Sequence, residues 1–352
     1  MSRLPSLFVI ILVLISLVFV SLGLGCTPEA PAPAPAPAPA PETKVFKLTG
    51  QSAFARGSFA WEQELEFWIK PLIERAGGRL EMEYNGAGEL VPGGEVFTAL
   101  TRGSLDFGAN SWVWQTGIEP VLGITWNPMI YETQAEYVGA FYEAQLPVID
   151  PYMQAKQNQK VLGLVAVSGG LLFTNKPVKT AADMKGLKIR AQGGSTGVFI
   201  EKAGAGSVSM IFPEAITGLQ QKTLDGVMFP EQVVADMKLF EFLPYAVEQL
   251  LVVPQDQGCF NLDTWKTLPA DLQDLIVEHA RQVNYYEGII MAPKRVAHYH
   301  EVNLTNGVTY NRLPPEDFAK FKQAGYDALD WYAEQSPECA QVAAATKAYL
   351  RK

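Results

Sequence analysis

The sequence predicts an α/β fold in two lobes. Short segments typical of strands are separated by amphipathic segments typical of helices, which indicates βαβ units and a sheet with parallel strands. Two stretches, residues 94–108 and 213–226, also follow one pattern: an acidic residue opens a helix, which leads through a turn and a Leu-Asp pair into a strand. Matched stretches in two halves predict related lobes facing a cleft, where small molecules commonly bind.

The first predicted elements are two strands on either side of a helix. Residues 45–49, VFKLT, alternate apolar and polar side chains, as do residues 80–84, LEMEY. Residues 58–76 carry apolar side chains on one helical face and stop at a pair of glycines. A helix over 94–102 and a strand over 105–108 follow a Gly-rich turn, which completes the start of the first lobe.

The middle of the chain repeats this alternation, and the last part is helical. Residues 161–167 form an apolar run typical of a buried strand. Shorter patterns then predict strands over 187–190, 208–210 and 225–229, and helices over 197–203 and 213–221. From residue 268 onward we expect helices over 269–302, 314–334 and 337–350, each with a proline at its start, where proline is favoured.

Composition excludes several classes of protein. The chain has 352 residues, enough for about two domains, and its 48% hydrophobic content argues against wholesale disorder. A net charge of -9 without runs of Lys or Arg makes a nucleic-acid partner unexpected, because phosphate binding needs clustered cations. Three cysteines and three histidines are too few for a disulfide framework or a zinc module.

The N-terminus reads as an export signal followed by a spacer. Arg3 precedes an apolar run over residues 4–25, so residues 1–25 are predicted to be a signal peptide. The residues before Cys26 resemble a bacterial lipobox, which implies lipidation of Cys26 and a membrane anchor; an uncleaved membrane-spanning helix is the alternative. Residues 26–44 are then an Ala-Pro linker, which favours extended polyproline II. Both alternatives place the rest of the chain outside the cytoplasm, at the cell surface or in a periplasm.

Four segments resemble the solute-binding proteins of tripartite ATP-independent periplasmic (TRAP) transporters, the DctP family. The strongest is TNKPVKTAADMKGLKIR at residues 174–190; residues 87–108, 212–226 and 265–273 also match. The AGELV stretch at the start of the second segment looks closest to the branch that binds 2-oxoacids and monocarboxylates. The resemblance implies no catalysis and no cofactor, an organic acid as ligand and a membrane permease as partner.

The same resemblance implies a periplasmic-binding-protein fold with a hinge, long bracing helices and a helical C-terminus. On this basis we expect lobe I to comprise residues 45–166 plus about 254–292. Lobe II and the C-terminal helices would comprise residues 167–253 plus about 293–352. We expect the protein to be a monomer whose lobes close on the ligand.

Arg190 is the central site expectation, because it matches the family's arginine that pairs with the ligand carboxylate. A guanidinium binds a carboxylate through two parallel hydrogen bonds. Trp112 and Trp114 alternate along the chain and are expected to share one face. The other expected ligand-binding residues are aromatic or neutral and polar: Phe54, Asn110, Ser168, Phe173, Phe212, Phe229 and Gln257. Core packing is the alternative for each aromatic residue taken singly.

The expected pocket surrounds one charge with apolar side chains, which favours a hydrophobic or aromatic monocarboxylate. Relatives carry a second arginine, an asparagine or a cation-coordinating glutamate where this chain has Gly170, Phe229 and Met228. A thioether does not coordinate hard cations well. We therefore expect neither a metal nor sialic acid in this site.

A competing hypothesis is a secreted α/β-hydrolase. Residues 193–197 match GxSxG after a strand and before a helix, with Ser195 as the nucleophile and three histidines later in the chain. A third hypothesis is a sensor or scaffold lipoprotein that binds the same ligand without a transporter. Cys259 and Cys339 could pair in an oxidising compartment, and the sequence leaves that open.

Overall fold

The computed structural model describes residues 44–166, 169–210, 212–253 and 255–351. The predicted signal peptide, Cys26 and nearly all of the linker lie outside the described residues, as does Ser168. No helix within the described ranges is long and apolar enough to cross a bilayer.

The strands form two mixed sheets. They are β1 (Phe46–Ser52), β2 (Leu80–Asn85), β3 (Phe107–Asn110), β4 (Gln159–Ala166), β5 (Gly170–Thr174), β6 (Lys188–Ala191), β7 (Gly206–Ser209), β8 (Gly226–Pro230), β9 (Tyr245–Val252), β10 (Gln255–Asn261) and β11 (Thr309–Asn311). One sheet has the order β2-β1-β3-β10-β4, and the other has the order β11-β9-β5-β8-β6-β7. In the first sheet β1 runs parallel to β2 and β3, whereas β10 runs antiparallel to β3 and β4.

The helices cover the faces of both sheets. They are α1 (Phe59–Gln63), α2 (Lys70–Arg75), α3 (Val96–Arg102), α4 (Gln134–Ala140), α5 (Leu146–Gln157), α6 (Gly194–Lys202), α7 (Phe212–Gln220), α8 (Glu231–Asp236), α9 (Leu262–Thr267), α10 (Ala270–Tyr286), α11 (Ala292–Thr305), α12 (Pro315–Ala333) and α13 (Pro337–Leu350). Single π-helical stretches join α1 to α2, α4 to α5 and α10 to α11, namely Glu64–Ile69, Phe141–Gln145 and Glu287–Met291. Short 3-10 helices include Trp112–Gln115 and Pro120–Trp126.

Most predicted elements match observed ones, and the misses have local causes. The helix expected over 58–76 begins after Ser58, whose hydroxyl accepts a hydrogen bond from the Trp61 amide. Helix α5 was not predicted, because Pro147 and Pro151 interrupt its helical pattern, and the short helix α4 before it was also missed. Strands β5 and β9 were also missed, since short apolar runs do not distinguish strand from helix.

The second lobe is built on the six-stranded sheet, with one apolar cluster on each face. Leu172 and Met228 point to one face and pack with residues of α6 and α12. Phe173 and Phe229 point to the other face and pack with residues of α7 and α8. This alternation follows from the two-residue period of a strand, and it puts Arg190, between two residues of the first cluster, on the second face.

The first lobe is built on the five-stranded sheet, and long helices connect it to the second. Helices α10 and α11, with the π-helical stretch between them, run from the first lobe to contacts with α8 in the second. Helix α12 buries Phe321 in the second lobe, while Leu329 and Tyr332 near its end join the core of the first. The fold is therefore a two-lobe α/β fold with bracing helices.

The C-terminal helix α13 packs on the first lobe, although the predicted lobe II includes it. Its buried residues Cys339, Val342 and Ala343 join a cluster that contains Val96 and Phe97 of α3. Order along the chain did not reveal this packing, because α13 directly follows a helix of the second lobe. Cys259 and Cys339 are both buried free thiols in this structure, so the disulfide left open by the sequence is not formed.

Candidate ligand-binding site

A cavity of about 1020 Å³ is lined by residues of both lobes. The first lobe contributes Gly94 and residues 113–116, which lie largely in a 3-10 helix. The second lobe contributes residues 190–194, one stripe of α6, and Ser207, Ser209, Met210 and Glu214. The ends of β6 and β7 thus face the first lobe across this space.

Arg190 is almost fully buried in the wall of this cavity, with 3% of its surface exposed. Its Nε donates a hydrogen bond to the Met210 carbonyl oxygen at 3.1 Å, and its Nη1 donates to Gln192 Oε1 at 2.6 Å. Both acceptors are uncharged. Among the described residues, no carboxylate forms an ion pair with Arg190, and burial alone lowers the pKa of its guanidinium to about 10. Arg190 therefore stays charged at neutral pH and is available to an anion.

The charges that line the cavity are few. Arg190 is the one cationic side chain among the described lining residues, and Glu201 and Glu214 are the acidic ones. The lining thus carries one positive and two negative charges. Such a balance disfavours a ligand with two negative charges.

Trp114 lines the cavity from the first lobe, and Phe54 packs against Trp114 without lining the cavity itself. Trp114 lines it with 42% of its surface exposed, and its ring centre is 5.8 Å from that of the half-buried Phe54. Trp112 is fully buried in the first-lobe core instead. The expectation that Trp112 and Trp114 share a face is wrong, because they lie in a 3-10 helix, where two residues apart means about two thirds of a turn.

The described aromatic side chains expected from the second lobe are buried. Phe229 is buried, and the Arg190 guanidinium carbon lies 5.2 Å from its ring centre. Phe173 is fully buried with its ring edge-on to Tyr310, and it does not line the cavity. Phe212 opens α7, and its side chain lies outside what the structure describes.

The polar residues expected from the first lobe lie beneath the surface. Asn110 and Gln257 are paired in register between β3 and β10, and both are buried. Gln257 Oε1 accepts a hydrogen bond from the Trp112 amide at 3.3 Å, which fixes the start of the 3-10 helix. Neither side chain lines the cavity, so their contact with a ligand stays a prediction.

Sequence reasoning missed Gln192, Met210 and the two serines of β7. Gln192 follows Arg190 by two residues, so the strand period places both side chains on one side, and this signal was available in the sequence. Met210 and the serines were not recognisable, because their place in the wall depends on the pairing of β7 with β6.

The arrangement around Ser195 does not support a hydrolase. Ser195 is buried in the first turn of α6. His279 is bound to the Trp68 carbonyl and Arg75, and His300 is bound to Glu231. The exposed His298 lies edge-on to the ring of its neighbour Tyr299. The described residues thus contain no histidine beside Ser195, and they contain no group of three or more metal-binding side chains.

A family model described as bacterial extracellular solute-binding protein, family 7 (DctP), matches residues 52–335. The match spans both sheets and the bracing helices. The chain belongs to this family. It is a TRAP-type solute-binding protein and not an enzyme, so the hydrolase hypothesis is not supported.

This family 7 protein is similar to curated periplasmic proteins. It is 28% identical over 235 residues to the 2,3-diketo-L-gulonate-binding periplasmic protein YiaO of Escherichia coli, which covers 63% of this chain and 68% of the relative. It is 24% identical over 234 residues to a monocarboxylate 2-oxoacid-binding periplasmic protein of Nostoc, which covers 62% of this chain and 63% of the relative.

Solved structures show the same fold. A TRAP periplasmic solute-binding protein from Desulfovibrio salexigens with bound orotic acid has a TM-score of 0.76 at 20% identity, covering 87% of this chain and 98% of the other. One from Haemophilus influenzae with bound L-gulonate has a TM-score of 0.72 at 16% identity, covering 86% and 99%. The predicted periplasmic-binding-protein fold is therefore confirmed.

Proposed function

We propose that this protein captures an organic monocarboxylate between its lobes and delivers it to a TRAP permease in the membrane. Its relatives are named for organic acids, and its structural neighbours include proteins with bound orotic acid and L-gulonate. Membership of the family supports a role in transport, and the residues that line the cavity support a monocarboxylate as the ligand.

The observation that carries the proposal is the environment of Arg190. A buried guanidinium with neutral acceptors and no carboxylate partner among the described residues is an incomplete ion pair. A ligand carboxylate completes it, and a guanidinium matches the planar, two-oxygen shape of that group.

The rest of the lining supports a single negative charge and an apolar body. Glu201, which also lines the cavity, repels a second carboxylate. Trp114, Val113 and Met210 offer apolar surface in the same cavity. We therefore favour a hydrophobic or aromatic monocarboxylate, or a 2-oxoacid, as the ligand.

The test is a melting-temperature screen of aliphatic, aromatic and 2-oxo acids on the mature chain, followed by calorimetry. A ligand that binds the folded state raises the melting temperature by mass action. Arg190→Ala should lower the affinity at least a hundredfold, because it leaves a desolvated carboxylate unpaired. Arg312→Ala, which removes an exposed arginine of the same lobe, should leave affinity unchanged. Near-native binding by Arg190→Ala would remove the proposal.

We propose further that the two lobes move as bodies and close on the ligand. The two-sheet arrangement supports a division into residues 45–166 with about 254–292, and 167–253 with about 293–336, and α13 then belongs with the first body. Small-angle scattering should show a smaller radius of gyration with saturating acid. Identical scattering profiles with and without acid would contradict closure.

The N-terminal sequence supports tethering to the membrane through a lipid on Cys26, with the Ala-Pro linker as spacer, and we propose that the tethered protein is a monomer. Mass spectrometry of detergent-extracted protein should show an acylated Cys26 as the first residue. Cys26→Ser should release the protein into the soluble fraction only if the apolar segment is then cleaved. Retention of residues 1–25 in the wild-type protein would favour the alternative anchor, an uncleaved membrane-spanning helix.

A further inference from the structure

The side chain of Gln192 accepts a hydrogen bond from the guanidinium that we expect the ligand to bind. Gln192 leaves the end of β6 and lines the cavity, where its Oε1 lies 2.6 Å from Arg190 Nη1. The Met210 carbonyl accepts from Nε of the same guanidinium. Both contacts are made by neutral oxygens within the second lobe.

We propose that Gln192 is an internal competitor for Arg190, which a ligand carboxylate must displace and which therefore sets the affinity of the site. This inference rests on the proposed function of Arg190. Gln192 holds the guanidinium in its binding position when the cavity is empty, and its amide swings into the cavity when an acid arrives.

The exchange is favourable because the two acceptors differ in charge. A carboxylate carries a full negative charge and can accept two parallel hydrogen bonds from a guanidinium, whereas the Gln192 amide oxygen is neutral and accepts one. Gln192 is half-buried and borders open space, so water or the ligand can take up its released amide. The Met210 carbonyl belongs to the backbone and stays in place, which leaves the Gln192 contact as the one that exchanges.

The two glycines that follow Gln192 are closely packed, which favours a side-chain rotation as the exchange. A Cβ atom on Gly193 would lie 3.2 Å from Val113 Cγ2, and one on Gly194 would lie 2.2 Å from the Trp331 ring. These close approaches leave little room for the backbone between β6 and α6 to rearrange locally. The long glutamine side chain keeps its own torsional freedom.

The test compares three side chains of similar size at this position, with phenylpyruvate and pyruvate as probes in calorimetric titrations. Gln192→Met removes the competing oxygen and should tighten binding about two- to tenfold, the worth of one net hydrogen bond. Gln192→Glu places an internal carboxylate on Arg190 and should weaken binding tenfold or more. Gln323→Met, an exposed glutamine of α12 away from the cavity, should leave both affinities unchanged.

Binding is thus expected to be tightest with Met at position 192, weaker with Gln and weakest with Glu. If Gln192 instead contacts the bound acid, wild type will bind more tightly than both variants, and that overturns the inference. Equal affinities, or no measurable binding by all three proteins, overturn it as well. Arg190→Ala distinguishes this failure from that of the proposed function. If Arg190→Ala loses binding but the variants at position 192 do not follow the expected order, the inference about Gln192 is wrong and the role of Arg190 in binding the carboxylate stands.

Discussion

The Arg190 guanidinium lies over the Phe229 ring, with its central carbon 5.2 Å from the ring centre. Phe229 is held by the buried cluster between the second sheet, α7 and α8, so the ring has a fixed orientation. A cation over an aromatic face is attracted by the ring quadrupole, most strongly where water is excluded. Phe229 therefore orients the charged group of the site.

Replacing Phe229 by leucine should weaken small and bulky acids by a similar factor. The substitution keeps an apolar side chain but removes the ring face, worth about 0.5–2 kcal/mol to a buried cation, or about two- to thirtyfold in affinity. Calorimetry with pyruvate and phenylpyruvate measures both factors. A loss confined to phenylpyruvate would mean that the ring contacts the ligand body instead.

Trp114→Ala should discriminate between the same two acids. Trp114 lines the cavity and is partly exposed, so only a bulky ligand buries apolar surface against it. Losing about 60 Å² of such contact costs roughly 1.5 kcal/mol, or about tenfold for phenylpyruvate, with little change for pyruvate. Ile118→Ala is the control, because this nearby residue is 70% exposed and does not line the cavity. Equal losses for both acids would place Trp114 outside the contact surface.

Arg190→Lys should recover only part of the affinity lost in Arg190→Ala. An ammonium group keeps the positive charge but cannot form two parallel hydrogen bonds with a planar carboxylate. A single ammonium nitrogen also cannot bind the Met210 carbonyl, Gln192 and a ligand in the arrangement that the guanidinium allows. We expect affinity about tenfold or more below wild type, measured by the same titrations. Full recovery would show that charge alone determines binding.

The stability of the first lobe should fall as pH rises, because Glu64 is buried at the start of a π-helix. Its Oε2 accepts a hydrogen bond from Tyr84 Oη at 2.6 Å, and burial raises its pKa from 4.5 to about 8. Asp256 is buried close by, and burial raises its pKa to about 7. Between the unfolded and folded pKa values the native state binds more protons, so the free energy of unfolding decreases from about pH 4.5 to pH 8.

Glu64→Gln removes this titration and should raise the melting temperature at pH 8 by about 2 °C or more, equivalent to about 1 kcal/mol, with little change at pH 5. Glu66→Gln changes an exposed glutamate of the same helix and should leave the pH profile intact. Calorimetric melting at both pH values measures the difference. A parallel shift of Glu64→Gln at both pH values would show that packing, and not ionisation, is responsible.

The sequence predicted the elements that depend on local patterns. Helices α12 and α13 were expected within one residue of their observed bounds, because each has a proline in its first turn and each ends where its apolar pattern ends. Arg190 was identified through the resemblance of its segment to a known family. The arginine at the centre of the candidate site was therefore available before the structure.

The positions of the residues around Arg190 could not be predicted from the sequence in the same way. An extended segment would place Trp112 and Trp114 on one face, whereas the observed 3-10 helix separates the two rings. Phe229 was expected to face the ligand, and its position beneath the guanidinium depends on the alignment of β8 with β6. Such contacts arise from sheet pairing, which a single sequence does not specify.

The packing of α13 on the first lobe also governs the order in which the protein can fold. Val342 and Ala343 complete a core whose other members, such as Val96 and Phe97, are synthesised some 240 residues earlier. The first lobe therefore cannot close its hydrophobic core until the ribosome has made α13. Loss of α13 would leave that core open to proteases.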